Sequence, residues 1–127
     1  MNGKEYQELA MGTNDGKSSD RLERTMYDLS RYNFPDMGGV LNACLGLSGE
    51  VGEFNDMIKK WIFHEKEIEI EHLKKECGDI LWYIAMMCHS FNWNMDEIMQ
   101  MNIKKLKARY PEGFDVDKAN NRKSGDV

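Results

Sequence analysis

Proline is scarce in this chain: Pro35 and Pro111 are the only two in 127 residues. Both fall where a helix should begin or end, and the long stretch between them has no residue lacking a backbone N–H donor. No apolar run approaches the length of a membrane span. The amino-terminal MNGKEYQELAMG has no apolar core long enough for a secretory signal, so a cytoplasmic location is expected. Cysteine is limited to Cys44, Cys77 and Cys88, an odd set inside predicted helices. That pattern reads as reduced, packed thiols rather than a disulfide framework. Basic residues number 17 against 22 acidic ones, for a formal net charge of −5, which argues against a general nucleic-acid binder. A polyphosphate bridged by metal ions remains compatible with that charge. The phosphate-cradling G-x-x-x-x-G-K-[ST] loop is missing, so P-loop chemistry is not expected.

What is present reads as one globular helical domain over 1–127. Hydrophobic residues make up 41% of the chain and charged residues 31%, an ordinary soluble balance. The ten methionines suit core gaps or an oligomer interface. The apolar spacing predicts a short helix over Lys4 to Met11, followed by a polar loop, GTNDGKSS, that completes an amino-terminal unit of helix and loop over 1–19. A second helix starts near Asp20, with Ser19 or Asp20 as its cap, and stops before Pro35. The third and longest runs from about Gly39 to Ile62, with Val40, Cys44, Leu47, Val51, Phe54, Ile58 and Ile62 as its apolar seam. The fourth spans about Ile70 to Phe91 through Leu73, Cys77, Ile80, Ile84, Met87 and Phe91. Asn94 and Glu97 have the spacing of a capping box at the start of a fifth helix, which runs to about Arg109. That helix should bury Met95, Met99, Ile103, Leu106 and Tyr110. Pro111 and Gly113 end it, and the polar tail over 115–127 is expected to fray. The expected fold is all-α, a bundle of about four to five helices.

The chemistry concentrates in two acidic pairs. Glu50 and Glu53 stand in GLSGEVGEF, and Glu76 and Asp79 in KKECGDILWY. Each pair is spaced i, i+3, which puts both carboxylates on one face of its helix. An antiparallel hairpin of the two helices lets all four converge beside the apolar seam. Like charges gathered in this way need a cation among them, and a hard divalent ion prefers oxygen ligands. Mg2+ is the expected ion, with Mn2+ as a substitute; it keeps open positions for substrate phosphates and can activate water. Gly46, Gly49 and Gly52 recur every third residue beside the first pair. Each glycine costs roughly 1 kcal/mol against alanine in a helix, so a neighbouring helix or a ligand should approach this backbone closely. Asn102, Lys105 and Arg109 share a stripe on the fifth helix that could supply counter-charge to phosphates.

The segments LNACLGLSGEVGEFNDMIKKWIFHE, KKECGDILWYIAMMC and DEIMQMNIKKLKARYPEGF resemble the MazG-type all-α nucleoside triphosphate pyrophosphohydrolases. With the lead-in EYQELAMGT, the resemblance covers about Glu5 to Phe114. It implies that E-x-x-E and E-x-x-D, here Glu50, Glu53, Glu76 and Asp79, form the catalytic metal site. It also implies that Asn102 and Lys105 face the nucleotide. The activity it implies is hydrolysis of a (deoxy)nucleoside triphosphate to the monophosphate and pyrophosphate, as in nucleotide-pool housecleaning. The expected partners are that substrate and further copies of the chain, in a homodimer or homotetramer with the active site near a subunit interface. Neither nucleic acid nor membrane is expected as a partner.

Plainer readings stand beside these. Lys59 and Lys60 could reach phosphates, or be exposed helix lysines. Tyr83, one turn beyond Asp79, could orient a ligand or pack in the core. Trp61, Trp82 and Trp93 suit core or interface as well as base stacking. His64 suits an exposed connection. The spacing of His72, Cys77, Cys88 and His89 matches no standard zinc pattern. A di-iron carboxylate bundle needs two Glu-x-x-His motifs, and only Glu69 to His72 offers one. The rival of another class is a non-catalytic helical module that binds a partner through its Met-rich face. A scaffold of that kind gives no reason to gather four carboxylates beside a row of glycines.

Overall fold

The computed structural model describes residues 1–32 and 35–121. Among these the chain forms six helices: α1 (Gly3–Met11), α2 (Ser18–Ser30), α3 (Met37–Phe63), α4 (Ile70–Ser90), α5 (Met95–Arg109) and α6 (Val116–Asn120). The all-α expectation holds. The last helix is the addition: Asp115 accepts hydrogen bonds from the Asp117 and Lys118 amides, and this cap supports a short turn of helix where the sequence suggests a frayed tail. The rest of that expectation, over 122–127, lies outside the described residues. At the other end, Asn2 and Glu5 form a reciprocal capping box that starts α1. Asn94 caps α5 through the Asp96 amide, which is not the Glu97 amide that the predicted box requires, so the cap forms without the box. α2 begins at Ser18 with Lys17 at the cap position and no side-chain cap.

The extensive helix packing among the described residues is α3 against α4. At the open end of this hairpin the Asp36 amide donates to the Ser90 carbonyl at 3.0 Å, and the Asp36 side chain accepts from the Gly39 amide at 3.2 Å. A Cβ on Gly39 would collide with the Ser90 hydroxyl, so glycine lets the start of α3 lie against the end of α4. At the closed end α3 stops with Glu65 in the left-handed region, φ 54°, and the Lys66 amide returns to the Lys60 carbonyl at 3.1 Å. α4 ends similarly: Asn92 takes φ 57° and the Trp93 amide reaches the Cys88 carbonyl at 2.8 Å. The α4 end is a Schellman closure, the α3 end a return one residue wider, and in both a non-glycine residue takes the left-handed position.

Most of the predicted seam residues of α3 and α4 face inward, but not all of them. The buried apolar residues are Val40, Ala43, Leu73 and Cys88, flanked by half-buried Leu47, Phe54, Ile58, Ile80, Ile84 and Met87. Cys44, Val51 and Cys77 are exposed, so two of the three thiols are not packed. The inward line of α3 passes through Ala43, Leu47, Glu50 and Phe54, and that of α4 through Leu73, Glu76, Ile80 and Tyr83. Acidic residues therefore sit on the buried lines themselves, not on a separate stripe. α5 departs further: Met99, Ile103 and Leu106 are 55%, 51% and 40% exposed in the single chain. Its apolar face has no extensive contact with α3 or α4.

Candidate metal centre

Glu76 projects from α4 into the hairpin and is only 7% exposed. Glu50 meets it from α3, half-buried. Asp79, one turn beyond Glu76 and itself exposed, completes a group in which one oxygen from each of Glu50, Glu76 and Asp79 lies within 4.8 Å of the others. It is the one such group of His, Cys, Asp or Glu among the described residues. Glu50 Oε2 and Glu76 Oε2 are buried and have no hydrogen-bond partner. Buried carboxylate oxygens are normally satisfied, because an unpaired one loses its hydration without return. Burial pushes the Glu50 carboxyl above its ordinary value; the Glu53 charge and the close carboxyls of Glu76 and Asp79 push the same way. Such a group could hold a positive charge. Its donors are all hard oxygens, which suits Mg2+ or Mn2+ and not a soft ion.

Glu53 is exposed and stands outside the tight group, yet it lines a cleft that begins at that group. The cleft encloses about 470 Å³, and its lining includes Gly49, Gly52, Glu53, Lys60, Lys66, His72 and Glu76. Its carboxylates are answered by cations along the same wall. From Glu53 to Lys60 the rise along α3 is about 10 Å. Lys60 Nζ is fixed by Asp56 at 2.6 Å, a bond that holds the Asp56 carboxyl below its usual range. Lys66 reaches the cleft because of the left-handed turn at Glu65.

The glycine row divides into two uses. A Cβ on Gly46 would collide with the Tyr83 ring, whereas one on Gly49 or Gly52 would meet nothing within 4 Å. Gly46 therefore serves helix packing, and the other two keep the cleft wall bare. Tyr83 is half-buried, edge-on to Trp82 with ring centroids 5.0 Å apart, and does not line the cleft. Lys59 is exposed and lies 3.9 Å from Asp56, also outside the cleft. Asn102, Lys105 and Arg109 ride on α5 and border no part of it; the Arg109 guanidinium lies 6.0 Å from the Tyr110 ring centroid.

Two cleft residues carry no role in the sequence reading. Lys66 has no signal there, since its place depends on the loop. His72 enters only the zinc and iron patterns, but its i, i+4 spacing to Glu76 was a usable sign. Its Nε2 lies 3.0 Å from Glu76 Oε1.

An all-helical hairpin with converging carboxylates at its centre defines a class of small metal-binding helical proteins, and comparison with known proteins narrows it. The family model of the MazG nucleotide pyrophosphohydrolase domain matches residues 40–114. The chain belongs to the MazG family, and its acidic group fits the divalent-metal dependence of that family. It is also similar to the Gene 37 protein of Mycobacterium phage L5, 30% identical over 89 residues that cover 66% of this chain and 77% of the phage protein. No solved structure matches. No helix among the described residues is long and apolar enough to cross a membrane.

Proposed function

We propose that the protein is a Mg2+-dependent nucleoside triphosphate pyrophosphohydrolase that releases a nucleoside monophosphate and pyrophosphate, in keeping with nucleotide-pool housecleaning. The observation that carries this reading is the pair of buried, unpartnered carboxylate oxygens on Glu50 and Glu76, at the head of a cleft that also holds lysines. Glu50, Glu76 and Asp79 would hold the cation, with Glu53 at the cleft side of the same charge cluster. When bound, the ion neutralises phosphate charge and lowers the pKa of water.

The other residues bind and orient. Lys60 and Lys66 offset phosphate charge further along the cleft, where Asp56 fixes the Lys60 ammonium. The bare wall at Gly49 and Gly52 lets a phosphate chain lie against the α3 backbone. Phosphoryl chemistry needs mainly this positioning and charge stabilisation.

The same reading makes the working form a homodimer or homotetramer. Exposed Leu22 and Met26 on α2, and Met99, Ile103 and Leu106 on α5, are the apolar faces such an assembly would cover. Assembly would also bring Asn102, Lys105 and Arg109 to a nucleotide that the single chain does not let them reach. A panel of canonical and damaged nucleotides with Mg2+, scoring pyrophosphate against orthophosphate, tests the activity. Pyrophosphate with monophosphate is expected; orthophosphate as the sole product would overturn the assigned cleavage position.

A further inference from the structure

His72 lies in the first turn of α4, with its side chain 52% exposed at the cleft edge. Its Nε2 is 3.0 Å from Glu76 Oε1, and its Nδ1 is 3.6 Å from Glu69 Oε2. An ionised carboxylate only accepts hydrogen bonds, so Nε2 must carry the proton whenever Glu76 is charged. That bond satisfies one oxygen of a side chain that is 9% exposed and leaves the other, Oε2, buried and unpartnered. The two oxygens of Glu76 are thus unequal: one is tied to the imidazole, the other is free for a cation. Without the tie, a glutamate facing Glu50 could swing away to relieve repulsion between like charges.

We infer that His72 is a positioning residue that orients the Glu76 carboxylate for the cation. This rests on the metal-centre reading proposed above. It extends a general feature of metal sites, in which ligating carboxylates are held by hydrogen bonds from an outer layer of side chains. His72 itself is a poor ligand for a hard ion, since such ions favour oxygen and its Nε2 is already engaged by Glu76.

Calorimetric titration of the full chain with Mn2+ tests the assignment through binding rather than turnover. His72→Ala is expected to weaken Mn2+ binding by about tenfold or more, with helical content unchanged because the imidazole lies at the surface. His72→Gln, which keeps an N–H donor one turn before Glu76, is expected to recover most of that affinity. Unchanged Mn2+ affinity in His72→Ala overturns the inference, and so does a His72→Gln variant as weak as alanine. Failure of the unsubstituted protein to bind Mn2+ overturns the metal centre itself, which separates the two failures.

Discussion

Glu50 on α3 and Glu76 on α4 face each other inside the helical hairpin, and each has an Oε2 that is buried with no hydrogen-bond partner. Neither can lower its energy by pairing with the other while both are ionised. With both ionised, the two repel each other, and a bound cation would relieve that repulsion.

Replacing one partner should expose this. Glu76→Gln is expected to raise the melting temperature of the metal-free protein and to abolish its stabilisation by Mg2+. For the unsubstituted protein, linkage gives about 2.7 kcal/mol when free Mg2+ is about 100 times its Kd. Thermal melts with and without Mg2+ check this, and a Gln variant that keeps the full Mg2+ response would remove Glu76 from the site.

The pH profile of the metal-free protein follows from Glu50. Its carboxyl is raised from 4.5 in the folded state, chiefly by burial and then by Glu53. The native state therefore holds that proton more tightly than the unfolded chain does. The resulting stability is fully present below pH 4.5 and is lost as pH rises through the raised value. Glu50→Gln should remove this part of the profile, so that the variant gains on the parent protein as pH increases. Urea melts across that range test it; a constant difference between the two proteins would contradict the assigned cause.

The glycine row predicts opposite outcomes at neighbouring positions. Gly46→Ala must displace the Tyr83 ring and is expected to cost about 1–3 kcal/mol through overpacking, partly offset by helix propensity. Gly52→Ala meets no atom and should gain up to about 1 kcal/mol from propensity alone. It narrows the cleft, however, and is expected to raise KM for a triphosphate. Denaturant midpoints and steady-state kinetics on the two variants read both effects.

Charge placement along the cleft separates KM from kcat. Asp79→Asn is expected to lower Mg2+-dependent pyrophosphate release by roughly 100-fold or more, the scale seen when transition-state charge stabilisation is removed. Glu53→Gln should also abolish most of it, with helical content intact. Lys66→Ala and Lys105→Ala are expected chiefly to raise KM. Because Lys105 lies off the cleft of the single chain, its effect should depend on assembly, and sedimentation of the purified protein reports that state. Full activity in Asp79→Asn would show that the cation lies elsewhere.

The helices were legible because their determinants are local: apolar spacing, caps, and prolines confined to helix ends. The acidic pairs were legible for the same reason, since i, i+3 spacing fixes which side chains share a face. Tertiary packing decided the rest. Only the α3–α4 crossing shows that Glu50 and Glu76 lie on the buried lines while Cys44 and Val51 do not, because a helix with apolar residues on several faces can turn more than one of them inward. Likewise, Gly46 and Gly52 look alike in the sequence. They differ because the Tyr83 ring stands over one and open space over the other. Lys66 and His72 join the site through a left-handed turn at Glu65 and a contact with a buried carboxylate, both set by how the hairpin closes.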